Sequence, residues 1–458
     1  MISRWLFVGL FLACLVFVVS AQRRRYNDLP PGPYCKSRGC CPGRQDECAA
    51  PILGTLCYCD EFCNQTRVED CCPDYWSECL GIEPEPVPTT PPPGEFKTCT
   101  YEGRNYGLGQ TVKKNCNICK CEQIGNTVEF LCERNHCLMN TLLIETVNRE
   151  RNYGWTATNY SKFWGKTLEE GIATRLGTLQ PERFVMNMNP VRKIYNPDIL
   201  PRQFDSTIEW PNYISKIQDQ GDCAASWAIS TAAVASDRFG ILSKGQEIVK
   251  LSAQELISCD KRGQQTQNCK GGYLDRAWAF IKHRGLVDED CFPYEGYDKE
   301  CAIDIFGDLR ANGCRIPANS QRTSKYVTAP AYRLGNETDI MYEIMVSGPV
   351  QATMLVNNDF FSYVGGIYEK TDIIESHKKG FLSVRIVGWG EEYTNKGYMK
   401  YWKVANSWGR DWGEDGYFRI VRGRDESEIE SFVIAAWPEI ARRRYPSLPV
   451  PQTPDVFK

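Results

Sequence analysis

Histidine is scarce in this chain of 458 residues, with His136, His283 and His377 the only three. Chemistry that depends on an imidazole base therefore has few candidates. An excess of one charge is also lacking, because 54 basic and 57 acidic side chains leave a formal net charge of -3. Such a balance exerts no global pull toward nucleic acid or anionic lipid, and neither is an expected partner. Long apolar runs are missing too. The stretch from Trp5 to Val19 is shorter than the ~18 residues a spanning helix needs, so membrane insertion is not expected. Arg4 precedes this stretch and the small residues Ser20 and Ala21 follow it, which reads as a signal peptide over residues 1–21.

Cysteine, by contrast, is abundant at 23 residues. Loss of Cys14 with the leader leaves an even number, and thiols at this density persist as structural bridges in an oxidising compartment. The expected location is therefore secreted, in the extracellular space or matrix. Asn64, Asn159 and Asn336 each begin an Asn-x-Ser/Thr triplet and are the candidate glycosylation sites. With 42% hydrophobic and 24% charged residues the chain is expected to fold, and its length allows about three domains.

The cysteines fall in three blocks, Cys35 to Cys79, Cys99 to Cys137, and Cys223 to Cys314. A proline-rich linker over residues 81–96 separates the first two, and its polyproline character predicts an extended spacer that holds the modules apart. The first block, residues 35–80, is too small to be stable without staples. Its run Cys57-Tyr-Cys59, Cys63 and Cys71-Cys72-Pro-Asp-Tyr75 resembles a somatomedin B domain, which implies binding of other extracellular proteins. Cys35 and one of Cys40 or Cys41 exceed the usual eight cysteines, and the connectivity stays open. The second block, residues 97–138, resembles a short von Willebrand factor type C module. Zinc held by Cys116, Cys119, Cys121 and His136 is the competing reading, and disulfides are favoured over metal in an exported chain. No metal or cofactor is expected.

From about Leu200 to Ile440 the chain resembles the papain family, cathepsin B most of all. The resemblance rests on Gln220-Gly-Asp-Cys-Ala-Ala-Ser226-Trp227-Ala228, Asn268-Cys-Lys-Gly-Gly-Tyr273, Gly388-Trp-Gly390 and Asn406-Ser-Trp408-Gly409. It implies an α+β fold, a papain-like two-lobed domain preceded by small disulfide-rich modules. Residues 141–199 sit where such a protease carries its propeptide, and 441–458 read as a flexible tail.

The family's chemistry needs a thiolate at a helix N-terminus, an imidazole beside it, an Asn to orient that ring and a Gln for the oxyanion. Gln220 and Asn406 are present. Ser226 stands at the nucleophile position, and counting back without gaps from Gly388 places Leu382 where the histidine belongs. A leucine accepts no proton, so the site Gln220, Ser226, Leu382, Asn406 reads as degenerate, with no catalytic residues. His377, beside Lys378 and Lys379, reads as a loop residue, and His283 as the end of a helix with Leu274, Ala277, Trp278, Phe280 and Ile281 inward. The resemblance further implies a Cys223–Cys269 bridge, and leaves Cys259, Cys291, Cys301 and Cys314 with three possible pairings. Trp227, Trp408 and Phe432 are expected to line an apolar pocket in the surviving cleft.

The order of modules resembles the tubulointerstitial nephritis antigen group of matrix proteins. It implies a non-catalytic, secreted binding scaffold whose partners are extracellular proteins: matrix components such as laminin or collagen, cell-surface receptors, and secreted signalling proteins. The alternative is a secreted peptidase that uses Ser226 as nucleophile with a base the sequence does not identify.

Overall fold

The computed structural model describes residues 32–65, 70–82, 98–150, 153–261, 268–316, 322–372 and 379–441. The leader reading, most of the proline-rich linker, His377 and the basic tail beyond Ala441 lie outside these residues. The chain divides into two compact units, one running to Asn140 and including Asn159–Glu169, the other formed by Thr141–Thr158 and everything from Glu170 onward. Among the described residues no helix is long and apolar enough to cross a membrane.

Short antiparallel ladders make up the first unit. Strands β1 (Ala49–Ile52) and β2 (Thr55–Tyr58) pair, as do β3 (Thr98–Tyr101) and β4 (Arg104–Gly107), while β5 (Thr111–Lys114), β6 (Asn117–Ile124) and β7 (Thr127–Cys132) form a three-stranded sheet. Five bridges close the first cysteine block: Cys35–Cys59, Cys40–Cys79, Cys41–Cys48, Cys57–Cys72 and Cys63–Cys71. Three close the second: Cys99–Cys121, Cys116–Cys137 and Cys119–Cys132. The expectation that the linker holds the blocks apart is corrected here. Ile52, Leu53 and Tyr75 from the first block share one apolar cluster with Tyr106 and Val112 from the second. The physical reason is size, because neither block buries enough apolar surface alone.

The second unit is built on a nine-stranded sheet from β8 (Trp155–Ala157), β9 (Phe204–Asp205), β10 (Tyr332–Leu334), β11 (Val350–Val356), β12 (Tyr363–Tyr368), β13 (Gly380–Thr394), β14 (Gly397–Ala405), β15 (Tyr417–Val421) and β16 (Val433–Ala435). Its order is β10-β16-β11-β13-β14-β15-β12-β8, with β9 added beside β13. The helix Ser226–Leu242 packs against the sheet and into a helical core with Ala253–Cys259 and Leu274–Arg284. Small residues let this helix be buried on nearly every side, as an all-round apolar helix must be. Phe360, Trp408, Trp412 and Phe418 fill the sheet side with ring contacts of 4.9 to 6.0 Å. The four remaining cysteines pair as Cys259–Cys301 and Cys291–Cys314.

Residues 141–199 do not behave as one body. Trp155 in β8 extends the large sheet by pairing with β12, and its indole donates to the Glu369 carbonyl at 3.0 Å. Residues 159–169 belong to the first unit, where the Trp164 indole donates to the Gly54 carbonyl at 2.9 Å.

Candidate functional site

Ser226 opens the helix Ser226–Leu242, and the bridge Cys223–Cys269 fixes the turn before it. Ala224 N donates to the Cys269 carbonyl at 3.0 Å. The serine hydroxyl is wholly buried. It donates to the Leu176 carbonyl in a short hydrogen bond, shares a 3.0 Å hydrogen bond with the Thr178 hydroxyl, and accepts from Ser383 N at 3.3 Å. Among the described residues none of these partners is a base able to take its proton.

The cover over Ser226 comes from residues 174–179. Thr178 N donates to the Phe381 carbonyl at 3.1 Å, Leu179 N to Gly272 at 2.9 Å, and Gly272 N returns to Gly177 at 2.9 Å. The segment is thus stitched to both sides of the helix N-terminus. Gly177 is required at its closest point, since it has φ +81 and an added Cβ would lie 2.0 Å from the Ala224 carbonyl oxygen. Arg175 anchors the upstream end through Asp219 at 2.9 Å and Asp222 at 3.4 Å. Its carbonyl receives the Trp408 indole N–H at 2.8 Å.

Leu382 lies in β13 opposite Met354 of β11, with no exposed surface. The backbone of the next residue, Ser383, reaches Ser226, so position 382 is beside the serine in the chain and carries an aliphatic group. The Gln220 amide donates to the Cys223 carbonyl at 2.8 Å and the Thr174 carbonyl at 3.1 Å, and its oxygen accepts from the Ser407 hydroxyl at 2.7 Å. Its N–H groups are committed to protein carbonyls. Asn406 Oδ1 accepts from Ser407 N at 2.7 Å, while its Nδ2 is buried with no hydrogen-bond partner among the described residues. Asn406 orients no described imidazole. His136 is exposed in the first unit, and His283 is exposed in the last turn of the helix Leu274–Arg284.

Several sequence expectations are refined here. Trp227, Trp408 and Phe432 are all buried. Trp227 and Phe432 belong to the helical core, and Trp408 stacks on Phe361 at 4.8 Å. Zinc finds no thiolates in the second cysteine block, because Cys116, Cys119 and Cys121 are all in disulfides. Asn64, Asn159 and Asn336 are exposed. Arg175, Gly177 and Thr178 were not singled out from the sequence. The Leu-Gly-Thr run was their one signal, and it shows nothing of what it covers.

The arrangement holds a buried hydroxyl under a backbone cover, and among the described residues no base is bonded to Ser226 while the Gln220 N–H groups are committed to protein carbonyls. Residues 200–437 match the model of the papain family cysteine protease. A human protein named tubulointerstitial nephritis antigen-like is 46% identical, covering 89% of this chain and 88% of its own. Human tubulointerstitial nephritis antigen is 42% identical over the same shares. The solved structure of procathepsin B S9 from Trypanosoma congolense is 32% identical with a TM-score of 0.55, covering 66% of this chain and 99% of that one. A covered papain-like site with these relatives identifies the chain as a member of the papain family, within its group of tubulointerstitial nephritis antigens.

Proposed function

We propose that this protein is a secreted, non-catalytic papain-like scaffold that binds other extracellular proteins, matrix components such as laminin or collagen among them. The observation that carries the non-catalytic half is the Ser226 hydroxyl, which is sealed under residues 176–178 and bonded to a carbonyl, a hydroxyl and an amide. A serine nucleophile needs an adjacent base, and in a serine protease the loss of nucleophile or base costs about a millionfold in rate. Leu382 supplies no such base.

Secretion is supported by eleven disulfides that pair every cysteine from Cys35 onward, a pattern of oxidising compartments. The matrix half rests on the resemblance of the module order to a group of matrix proteins. It is tested by titrating the purified full chain over immobilised laminin and collagen while assaying a peptide library for cleavage. Saturable binding without cleavage is expected, and cleavage without binding would reverse the proposal.

A further inference from the structure

A small cavity in the second unit runs between the helix Ser226–Leu242 and strands β13 and β14. Ser230, Ser383, Arg385, Asn406 and Lys216 contribute to its polar lining, together with Gln218 and Ser407. No acidic side chain is in that lining. Lys216 is exposed at its rim, and Asn406 inside is 5% exposed.

Among the buried side-chain atoms of the described lining, one donor is left without a partner. Ser230 and Ser383 share a hydrogen bond at 2.7 Å and both accept from the Gln351 amide, at 2.8 and 3.1 Å. Arg385 pairs with Asp237 and donates to the Ser215 carbonyl at 2.8 Å, so its charge is partly compensated. Asn406 cannot turn its amide over, because Ser407 N at 2.7 Å needs the oxygen where it stands. Its Nδ2 therefore remains a buried donor without a described partner, a destabilising state that a hydrogen-bonding guest would relieve.

We propose that this cavity is a binding site for a small monoatomic anion, chloride, held by Asn406 Nδ2 in the field of Lys216 and Arg385. A positive rim, an orphaned N–H donor and the lack of lining carboxylates favour a halide over a cation. A halide matches the water-sized space better than an oxyanion.

The test uses the full chain and bromide as the probe. Crystals soaked in bromide are expected to show an anomalous peak within hydrogen-bond reach of Asn406 Nδ2. Thermal midpoints at constant ionic strength are expected to rise with chloride or bromide and not with gluconate. Asn406→Asp keeps the acceptor for Ser407 N and places an oxygen where the donor was. It is expected to weaken halide binding about tenfold or more, the worth of one hydrogen bond to a charged group. Lys216→Ala, at an exposed position, is expected to weaken it less, and keeps the test alive if the first variant does not fold. A water at Asn406 Nδ2 with equal midpoints in chloride and gluconate would overturn the site. A bromide peak with halide dependence unchanged in the variants would mark an adventitious ion only, and would overturn it equally.

Discussion

The hydroxyl of Thr178 lies 3.0 Å from that of Ser226, so the residue at the family's nucleophile position is met, from the chain's own upstream segment, by a side chain with no basic character. On the proposed non-catalytic reading two features act together: Leu382 carries an aliphatic chain where the family has its base, and residues 176–178 cover Ser226. Removing one should not restore function while the other remains.

That logic sets the outcome of repair. Ser226→Cys alone is expected to show no turnover of a fluorogenic dipeptide, because a thiol at the helix N-terminus still lacks an imidazole partner. Ser226→Cys with Leu382→His, combined with Gly177→Ala to loosen the lid, is expected to recover measurable cleavage. Turnover in the single variant would show that a base exists elsewhere.

Gly177→Ala is informative by itself. The added methyl meets the Ala224 carbonyl, and the positive φ disfavours any side chain. The variant is expected to lose about 1–3 kcal/mol of stability. Hydrogen exchange read by mass spectrometry should quicken at residues 176–179 and 381 while the helix Leu274–Arg284 keeps its protection.

Asp359 gives the fold a pH signature. Burial raises its carboxyl from 3.8 to about 6, against hydrogen bonds from Thr371 N and the Tyr368 hydroxyl that favour the charged form. The folded state thus binds this proton more tightly than the unfolded chain. The group's stabilising contribution is full below about 4 and is lost as pH rises through about 6, a swing on the order of 3 kcal/mol. Asp359→Asn removes the titration. The thermal midpoint of the native chain minus that of the variant is expected to grow as pH falls from 7.5 to about 4, and a difference that is flat with pH would contradict the assignment.

Glu343 answers with the opposite sign. Although burial raises its carboxyl, the Arg238 guanidinium opposes this, with Lys193 and Tyr332 helping, and holds it down at about 2. Its contribution is present above about 4.5 and lost as pH falls toward 2. Glu343→Gln leaves Arg238 buried without its counter-charge and is expected to cost about 3–5 kcal/mol, measured by denaturant unfolding of the secreted protein.

Much of the papain-like domain was legible because its signals are local. Apolar spacing after Ser226 marks Trp227, Ile229, Ala232, Ala233 and Ala235 as an inward face, of which all but the half-buried Ala233 are buried, and the helix Leu274–Arg284 turns Leu274, Ala277, Trp278, Phe280 and Ile281 inward as the same spacing implies. Leu382 was found by counting from Gly388. What escaped depends on contacts between distant residues. Thr178 meets a serine 48 positions away and Ser383 N reaches it across 157, and spacing carries no trace of such pairs. The disulfide partners of Cys259 and Cys291 escaped for the same reason, as did the core shared by the two cysteine-rich blocks.

The central claim is that Ser226 is chemically silent, and a fluorophosphonate tests it most directly. The purified full chain is incubated with the probe, and intact mass and peptide mapping then report on position 226. The expected result is an unmodified serine at concentrations that label an active serine protease completely. Stoichiometric phosphonylation of Ser226 would contradict the account.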